Sequence, residues 1–194
     1  MSSTDVIGIY CGSFNPIHTG HAIIANYVGQ YSSVEEVWLM VSRLNPLKEE
    51  KPMADLHRLR MAEIVANNCR NVKVSDFEFG LPSPSYTYTT LTALKKKYEG
   101  KKFKLIIGSD NWLRFNDWRN SKEIIEEFGL IVYPRPDFEI EKIALHENIE
   151  ILKGAPQLHI SSTLIRQMIK HHRNINYMVP VEVADYIKKY NLYI

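Results

Sequence analysis

Short apolar runs at intervals along the first two-thirds of the chain constrain its fold more than any other feature. These runs are rich in β-branched or aromatic residues and have the length of strands; they lie at 6–10, 37–41, 72–77, 103–107 and 130–133. Between them, apolar residues recur with helical spacing, as in the set Ile24, Val28 and Tyr31 and the set Leu59, Ala62 and Ala66. Alternating strands and helices predict an α/β fold, a Rossmann-like doubly wound parallel sheet with helices on both faces.

The last third of the chain contains two further predicted helices. One begins after Ser161 and Ser162, and the other has the apolar spacing of Val183, Ile187 and Tyr190. We interpret them as a small C-terminal helical portion. Because 194 residues fit one domain and the sequence shows neither an internal repeat nor a linker, we expect a single domain over residues 1–194.

The overall charge does not indicate a nucleic-acid partner. Lys and Arg number 24 and Asp and Glu 22, a net charge of +2, which is too small to indicate a nucleic-acid scaffold. The densest positive stretch is the run of lysines between 95 and 104. We interpret it as a helix end and its exit loop, where cations complement the helix dipole, and a partner-binding patch is the alternative.

The cysteines and the apolar segments indicate a cytoplasmic protein. Cys11 and Cys69 form no CxxC pair, so neither a disulfide framework nor a cysteine-built metal site is expected. The sequence contains no segment approaching the roughly 18 to 20 apolar residues of a membrane span, and its start lacks the features of an export signal. We therefore expect no membrane partner, and the sequence carries no signal for an oligomeric state.

The segment GSFNPIHTGH (12–21) follows the first predicted strand and is the first candidate for a ligand site. In open parallel sheets, ligands bind beyond the carboxyl ends of the strands, near the point where strand order reverses. Gly12 allows close backbone approach, and a helix is expected to begin near Thr19 or Gly20. Since the N–H groups at a helix start favour anions, this loop predicts a polyphosphate site.

His18 and His21 lie three residues apart, so both imidazoles can face the same side of the helix start. We favour phosphate contact because imidazoles donate N–H bonds and can gain positive character beside a polyanion. A metal site and a buried structural pair are the alternatives. The metal alternative would require a third ligand, and a zinc site usually carries the glutamate of an HExxH motif, where this sequence has Thr19 and Gly20.

Two segments together resemble the nucleotidylyltransferase α/β-phosphodiesterase superfamily. The first is 12–21, which matches the (H/T)xGH signature, and the second is ISSTLIR (160–166), which matches ISSTxIR. The serines of the second segment are also good helix N-caps, so a purely structural helix start is the alternative there. The resemblance implies that the catalytic residues are His18, His21 and Arg166. It implies an ATP-binding set made of Gly12, Ser13, Phe14, Gly108, Ser161 and Ser162.

The reaction implied by the resemblance is attack of a phosphate monoester on the α-phosphorus of ATP with release of pyrophosphate. Because the second pKa of a phosphate monoester is near 6, the attacking group is largely dianionic at pH 7 and requires no general base. The protein then has to align two anions and disperse charge. Mg²⁺ is expected to arrive bound to ATP with few or no protein ligands, since these loops carry no paired-carboxylate motif.

The middle of the chain resembles the bacterial nicotinate-nucleotide adenylyltransferase family in the order and spacing of SYTYTTL (85–91), IIGSD (106–110) and RFNDWRNS (114–121). This resemblance implies nicotinate mononucleotide as the second substrate beside ATP. Trp118 would stack on the pyridine ring, with a core position as the alternative for it and for the neighbouring Trp112. The residues assigned to the acceptor substrate are Lys48, Thr87, Asp110, Trp118 and Arg119.

Three positions depart from the family pattern. Cys11 stands where glycine is common, NPLK (45–48) replaces a PPHK-like stretch, and Thr89 replaces an aspartate, so no function is assigned to Thr89. Two other functions remain as alternatives: a different transferase of the superfamily, such as phosphopantetheine adenylyltransferase, and a noncatalytic nucleotide-binding protein. Those other transferases usually lack the SYT and tryptophan segments.

Overall fold

A computed structural model describes residues 5–43, 54–138 and 146–194, and in these ranges six strands form one parallel sheet. The strands follow the order β3-β2-β1-β4-β5-β6. Their bounds are β1 Val6–Gly12, β2 Glu36–Val41, β3 Val72–Ser75, β4 Lys102–Gly108, β5 Leu130–Tyr133 and β6 Ile149–Ile151. Every neighbouring pair of strands is parallel, which confirms the predicted sheet type.

Helices in the same ranges connect the strands and follow the sheet. Their bounds are α1 Thr19–Tyr31, α2 Asp55–Asn67, α3 Thr87–Lys97, α4 Ser109–Trp112, α5 Ser121–Glu127, α6 Ser162–Lys170 and α7 Val181–Lys189. Two short 3₁₀ turns cover Phe77–Gly80 and Phe115–Asp117. Within the part of the chain that is described, no helix is long and apolar enough to span a bilayer.

The core lies on both faces of the sheet, as the near-continuous apolar strands predict. On one face Ile24 of α1, Ile165 of α6 and Val183 of α7 share a buried cluster. On the other face Leu91 of α3 and Ile124 of α5 pack on the opposite side of the same strands. The C-terminal helices therefore share a core with the helix that follows the first strand.

The strands differ from the sequence prediction in several bounds and in one added strand; β1, β2 and β4 are one or two residues longer than predicted. The third strand ends at Ser75 rather than at 77, because the Ser75 hydroxyl accepts the N–H of Phe77 at 3.3 Å and turns the chain into a 3₁₀ turn. Strand β6 was missed because it is a three-residue edge strand with half-buried residues. Of the lysine run, 95–97 occupy the last turn of α3 as predicted, whereas Lys102 and Lys104 lie in β4.

The strand order reverses between β1 and β4, and the sheet opens there. The β1–β2 ladder continues to the pair Gly12 and Val41, whereas the β1–β4 ladder ends at Ile9 and Leu105. The carboxyl ends of the two central strands therefore separate into a crevice at the switch point of the sheet. This is the position at which α/β proteins of this topology bind ligands.

Candidate active site

The loop after β1 lies at this crevice and is built around a buried phenylalanine. Phe14 adopts the left-handed region with φ 44°, and its ring is only 1% exposed. A Cβ atom on Gly12 would come within 2.8 Å of that ring, so glycine is required for the ring to pack here. The ring of Phe14 therefore belongs to the core, and the ATP contact predicted for this residue stays a prediction.

Arg58, a fully buried arginine of α2, binds the backbone of this loop. The Nη1 atom of Arg58 donates to the carbonyl oxygens of Ser13 at 2.6 Å and Ser42 at 2.7 Å, and Nη2 pairs with Asp55. The loops after β1 and β2 are thereby tied to one guanidinium group. Arg58 could not be identified from the sequence, because an arginine in an amphipathic helix usually faces solvent.

The imidazoles of His18 and His21 cap the start of α1, and each imidazole accepts the backbone N–H of the other histidine. The Nδ1 atom of His18 accepts the N–H of His21 at 3.4 Å, and the Nδ1 atom of His21 accepts the N–H of His18 at 3.2 Å. The rings stack with their centroids 3.7 Å apart. Because each Nδ1 accepts a backbone proton, the proton of each neutral imidazole is on Nε2, which makes Nε2 the donor.

Burial keeps His18 neutral. The side chain is 3% exposed, and its desolvation, together with the positive charge of Arg135, lowers the pKa of His18 to about 4. The neutral ring still donates through Nε2. The expectation that these imidazoles gain positive character applies only once a polyanion is bound, because a nearby negative charge favours the charged ring.

The depressed pKa of His18 predicts a loss of stability in acid. The folded-state pKa is about 4 and the ordinary value 6.5, so between these values the unfolded chain binds a proton that the folded chain does not. Above pH 6.5, the neutral His18 contributes roughly 3 kcal/mol to the free energy of unfolding. This contribution is lost as the pH falls towards 4. Urea denaturation between pH 7 and pH 4 measures it.

The His18→Asn variant is the matched control, since asparagine keeps an N-cap acceptor and does not titrate. Its free energy of unfolding is expected to depend less steeply on pH than that of the wild type. Identical pH dependence in the two proteins would exclude His18 as the titrating group.

The two predicted segments meet in the structure. Ser162 donates its hydroxyl proton to the carbonyl oxygen of Pro16 at 2.8 Å, and the Nη1 atom of Arg166 donates to the carbonyl oxygen of Asn15 at 3.0 Å. Ser161 is the N-cap of α6 and accepts the N–H of Leu164 at 3.2 Å. The structural interpretation of the serines is therefore correct for the cap, and Arg166 in addition lies against the histidine loop.

The carboxyl ends of β4 and β5 supply the opposite wall of the crevice. A Cβ atom on Gly108 would collide with the Asp110 carboxylate and come within 2.8 Å of the Arg135 side chain, so glycine makes room for both. The buried Oδ1 atom of Asp110 has no hydrogen-bond donor among the described residues and lies 3.9 Å from the Arg135 Nε atom. This oxygen can therefore accept a hydrogen bond from a ligand that brings a donor.

Arg135 lies at this wall beside Asp110, and the sequence alone assigns it no role. It follows β5, and the hydroxyl of the buried Ser109 accepts its backbone N–H at 2.9 Å. Beneath it, Tyr10 and Tyr133 share a hydrogen bond of 3.0 Å, and burial raises the pKa of both hydroxyl groups, so both stay neutral. The signal that could have found Arg135 was its position directly after a strand end.

The residues predicted for the acceptor substrate form a second group. Helix α3 begins at Thr87, and its N-cap residue Tyr86 makes no side-chain capping bond. The guanidinium of Arg119 lies over the Tyr86 ring at 5.1 Å, so Thr87 and Arg119 are brought to the same place. Trp118 and Trp112 are both half-buried and both pack on Phe115, with ring centroids 5.3 and 5.8 Å from it.

The remaining positions singled out from the sequence are Lys48, Thr89 and Cys11. Lys48, with the NPLK segment, lies outside the described residues. Thr89 is exposed on α3. Burial raises the pKa of Cys11, so its thiol stays protonated in the strand.

No cluster of three His, Cys, Asp or Glu side chains suited to a metal ion occurs among residues 5–43, 54–138 and 146–194. The site contains cationic guanidinium groups, neutral N–H donors and two helix starts. The strand order and this donor set at the switch point are those expected of an α/β protein of the nucleotidyltransferase class. The family model described as cytidylyltransferase-like matches residues 9–168, which include both predicted segments.

Named relatives extend over nearly the whole chain. A Bacteroides thetaiotaomicron protein named probable nicotinate-nucleotide adenylyltransferase is 43% identical over 184 residues, covering 94% of this chain and 91% of that protein. A Flavobacterium johnsoniae protein of the same name is 42% identical over 190 residues, covering 96% and 98%. The chain therefore belongs to the cytidylyltransferase-like family and, within it, to the nicotinate-nucleotide adenylyltransferases.

Solved structures share the fold. The Plasmodium falciparum nicotinic acid mononucleotide adenylyltransferase complexed with NaAD superposes with a TM-score of 0.78 over 97% of each chain, at 23% identity. A Vibrio parahaemolyticus structure described as a putative nicotinate-nucleotide adenylyltransferase gives a TM-score of 0.69 at 24% identity, over 97% of this chain and 95% of that chain. Both likenesses confirm the predicted Rossmann-like architecture.

Proposed function

We propose that this protein transfers the adenylyl group of ATP to nicotinate mononucleotide, releasing pyrophosphate and forming deamido-NAD in NAD biosynthesis. The observation that carries the proposal is the pair of mutually capped imidazoles, whose Nε2 atoms are donors at the switch point of the sheet. The relatives of the same family carry the name of this activity. We expect the reaction to take place in the cytoplasm, within a single domain.

The chemistry requires alignment and charge dispersal. An oxygen of the acceptor's dianionic phosphate forms a bond to the α-phosphorus, and the bond from that phosphorus to the pyrophosphate oxygen breaks. No proton has to be removed from the attacking group, since its second pKa is near 6. Neutral N–H donors and fixed positive charges that contact the transferring group and the leaving pyrophosphate then stabilise the transition state.

The catalytic roles follow from the donors of the site. His18 and His21 donate Nε2 protons to phosphate oxygens, and the N-terminus of α1 adds its dipole. Arg166 carries a full charge and is already oriented by its bond to the Asn15 carbonyl oxygen. The residues proposed to border ATP are Gly12, Ser13, the backbone of Phe14, Gly108, Ser161 and Ser162.

Magnesium fits this proposal as part of the substrate. The described residues offer no cluster of acidic or histidine ligands that could hold the ion alone. We expect Mg²⁺ to arrive as part of the ATP substrate, with few or no direct protein ligands. When bound, it neutralises part of the charge on the phosphates.

Recognition of the acceptor rests on the second group of residues. The uncapped start of α3 at Thr87 and the Arg119 backbone offer N–H groups to the nicotinate carboxylate, and Trp118 offers an aromatic face to the pyridine ring. The buried Oδ1 of Asp110 accepts a ribose hydroxyl. Lys48 is proposed as a phosphate contact from the sequence alone.

Trp118→Ala is expected to raise the KM for nicotinate mononucleotide about tenfold or more, the range given by loss of one aromatic stacking contact. Trp112→Ala is the matched control, because both indoles are half-buried and pack on Phe115. In that variant the KM is expected to stay within about threefold of the wild-type value. Steady-state kinetics at saturating ATP provide the comparison, and an unchanged KM in Trp118→Ala would remove the stacking role.

An acceptor panel tests the proposed function. Pyrophosphate release is measured with ATP and Mg²⁺ and, in turn, nicotinate mononucleotide, nicotinamide mononucleotide and phosphopantetheine. We expect the highest kcat/KM with nicotinate mononucleotide. A preference for phosphopantetheine would contradict the acceptor and leave the ATP site intact, whereas no release with any acceptor would favour a noncatalytic nucleotide-binding protein.

A further inference from the structure

The end of the chain turns back towards the histidine loop. Leu192 is buried, and its N–H donates to the Ile187 carbonyl oxygen at 3.0 Å, which anchors the residues that follow α7. Asn191 and Tyr193 both adopt the left-handed region, with φ of 50° and 67°. This region is uncommon for residues other than glycine, so the reversal of the chain at this point is held by its packing.

Tyr193 contacts the loop through a hydrogen bond between residues that are 178 positions apart in the sequence. Its hydroxyl group donates to the Oδ1 atom of Asn15 at 2.9 Å, while Arg166 holds the carbonyl oxygen of the same Asn15 at 3.0 Å. Burial raises the pKa of Tyr193, so the hydroxyl keeps its proton and remains a donor at every working pH. Asn15 is thus fixed at both its side-chain and its main-chain oxygen.

The other end of the same loop is held by a neighbouring C-terminal segment. The backbone N–H of Thr19 donates to the Met178 carbonyl oxygen at 2.9 Å, and the Thr19 hydroxyl donates to the Tyr177 carbonyl oxygen at 2.8 Å. His18 lies between Asn15 and Thr19. Its position is therefore bracketed on both sides by contacts from the last part of the chain.

We propose that Tyr193 is a positioning residue for adenylyl transfer, which fixes Asn15 and through it the path of the loop that presents His18 and His21. The inference rests on the proposed function, because it assigns Tyr193 to the same site. Tyr193 acts on the geometry of the donors rather than on the substrate. Its loss should therefore reduce turnover more than it weakens substrate binding.

Tyr193→Phe is expected to lower kcat about tenfold, the upper end for one lost neutral hydrogen bond, with the KM for ATP changed by less than about twofold. Tyr186→Phe is the matched control. Tyr186 lies on α7, and its hydroxyl shares a hydrogen bond of 3.0 Å with the Nδ1 atom of His57, a histidine of α2 rather than of the histidine loop. Both variants lose one hydrogen bond and should lose similar thermal stability, but only Tyr193→Phe should lose turnover.

A double-mutant cycle with Asn15→Ala separates positioning from a general packing effect. If Tyr193 acts through Asn15, adding Tyr193→Phe to Asn15→Ala lowers kcat no further. Full additivity of the two substitutions, or wild-type kcat in Tyr193→Phe, would overturn the positioning role while the proposed function stands. Absence of pyrophosphate release by the wild type itself would contradict the proposed function instead.

Discussion

His21→Ala is expected to lower kcat by about 100- to 1000-fold, the range measured for loss of one preorganised donor to a developing negative charge. The Nε2 proton of His21 is the donor that is lost, because Nδ1 is occupied by the N–H of His18. If the contact strengthens in the transition state, the dissociation constant for ATP should change much less than kcat. Stopped-flow turnover and equilibrium binding of ATP measure the two quantities.

His21→Gln separates this role from helix capping. Glutamine at the third helical position is a standard partner in a capping box, and its amide also offers an N–H donor. We expect glutamine to restore stability and to recover part of the lost turnover. If His21→Ala lowers kcat and ATP affinity by the same factor, the contact is uniform binding and not transition-state stabilisation.

Arg58→Met is expected to lower the free energy of unfolding by about 3 kcal/mol, because it removes two buried hydrogen bonds donated by a charged group. The guanidinium is fully buried, and its loss leaves the carbonyl oxygens of Ser13 and Ser42 without these donors. Methionine keeps most of the apolar volume, so the effect reports the lost hydrogen bonds and charge. Urea denaturation at pH 7 measures the change.

Arg60→Met on the same helix is the matched control for this substitution. Arg60 is exposed and pairs with Glu63 at 2.7 Å on the protein surface. Surface pairs of this kind contribute about 0 to 1 kcal/mol, so the Arg60 variant should remain close to the wild type. Equal and small changes in both variants would contradict the role of Arg58 as the anchor of the two loops.

Most of the fold could be predicted because its signals are local. An apolar run of strand length beside a segment of helical spacing specifies a strand and its helix, and their repetition specifies the parallel sheet. The exceptions are short or edge features. Strand β6 has three half-buried residues, and the end of β3 depends on the Ser75 hydroxyl, a contact that no periodicity encodes.

The site was predictable where residue type and spacing carry the chemistry, as in the histidines at 18 and 21. The contacts that hold these residues in place were not predictable. Arg58 meets Ser13 and Tyr193 meets Asn15 across long stretches of sequence, and such pairs are determined by tertiary packing. Phe14 shows the same limit, since its motif position indicates ATP whereas its ring belongs to the core.

The most direct test uses ATP that carries a radioactive α-phosphorus and measures which product receives the label. With nicotinate mononucleotide and Mg²⁺, we expect the label to move into a dinucleotide product and the released pyrophosphate to be unlabelled. Label retained in ADP, with a phosphorylated acceptor, would show transfer of the γ-phosphoryl group and would contradict adenylyl transfer at this site.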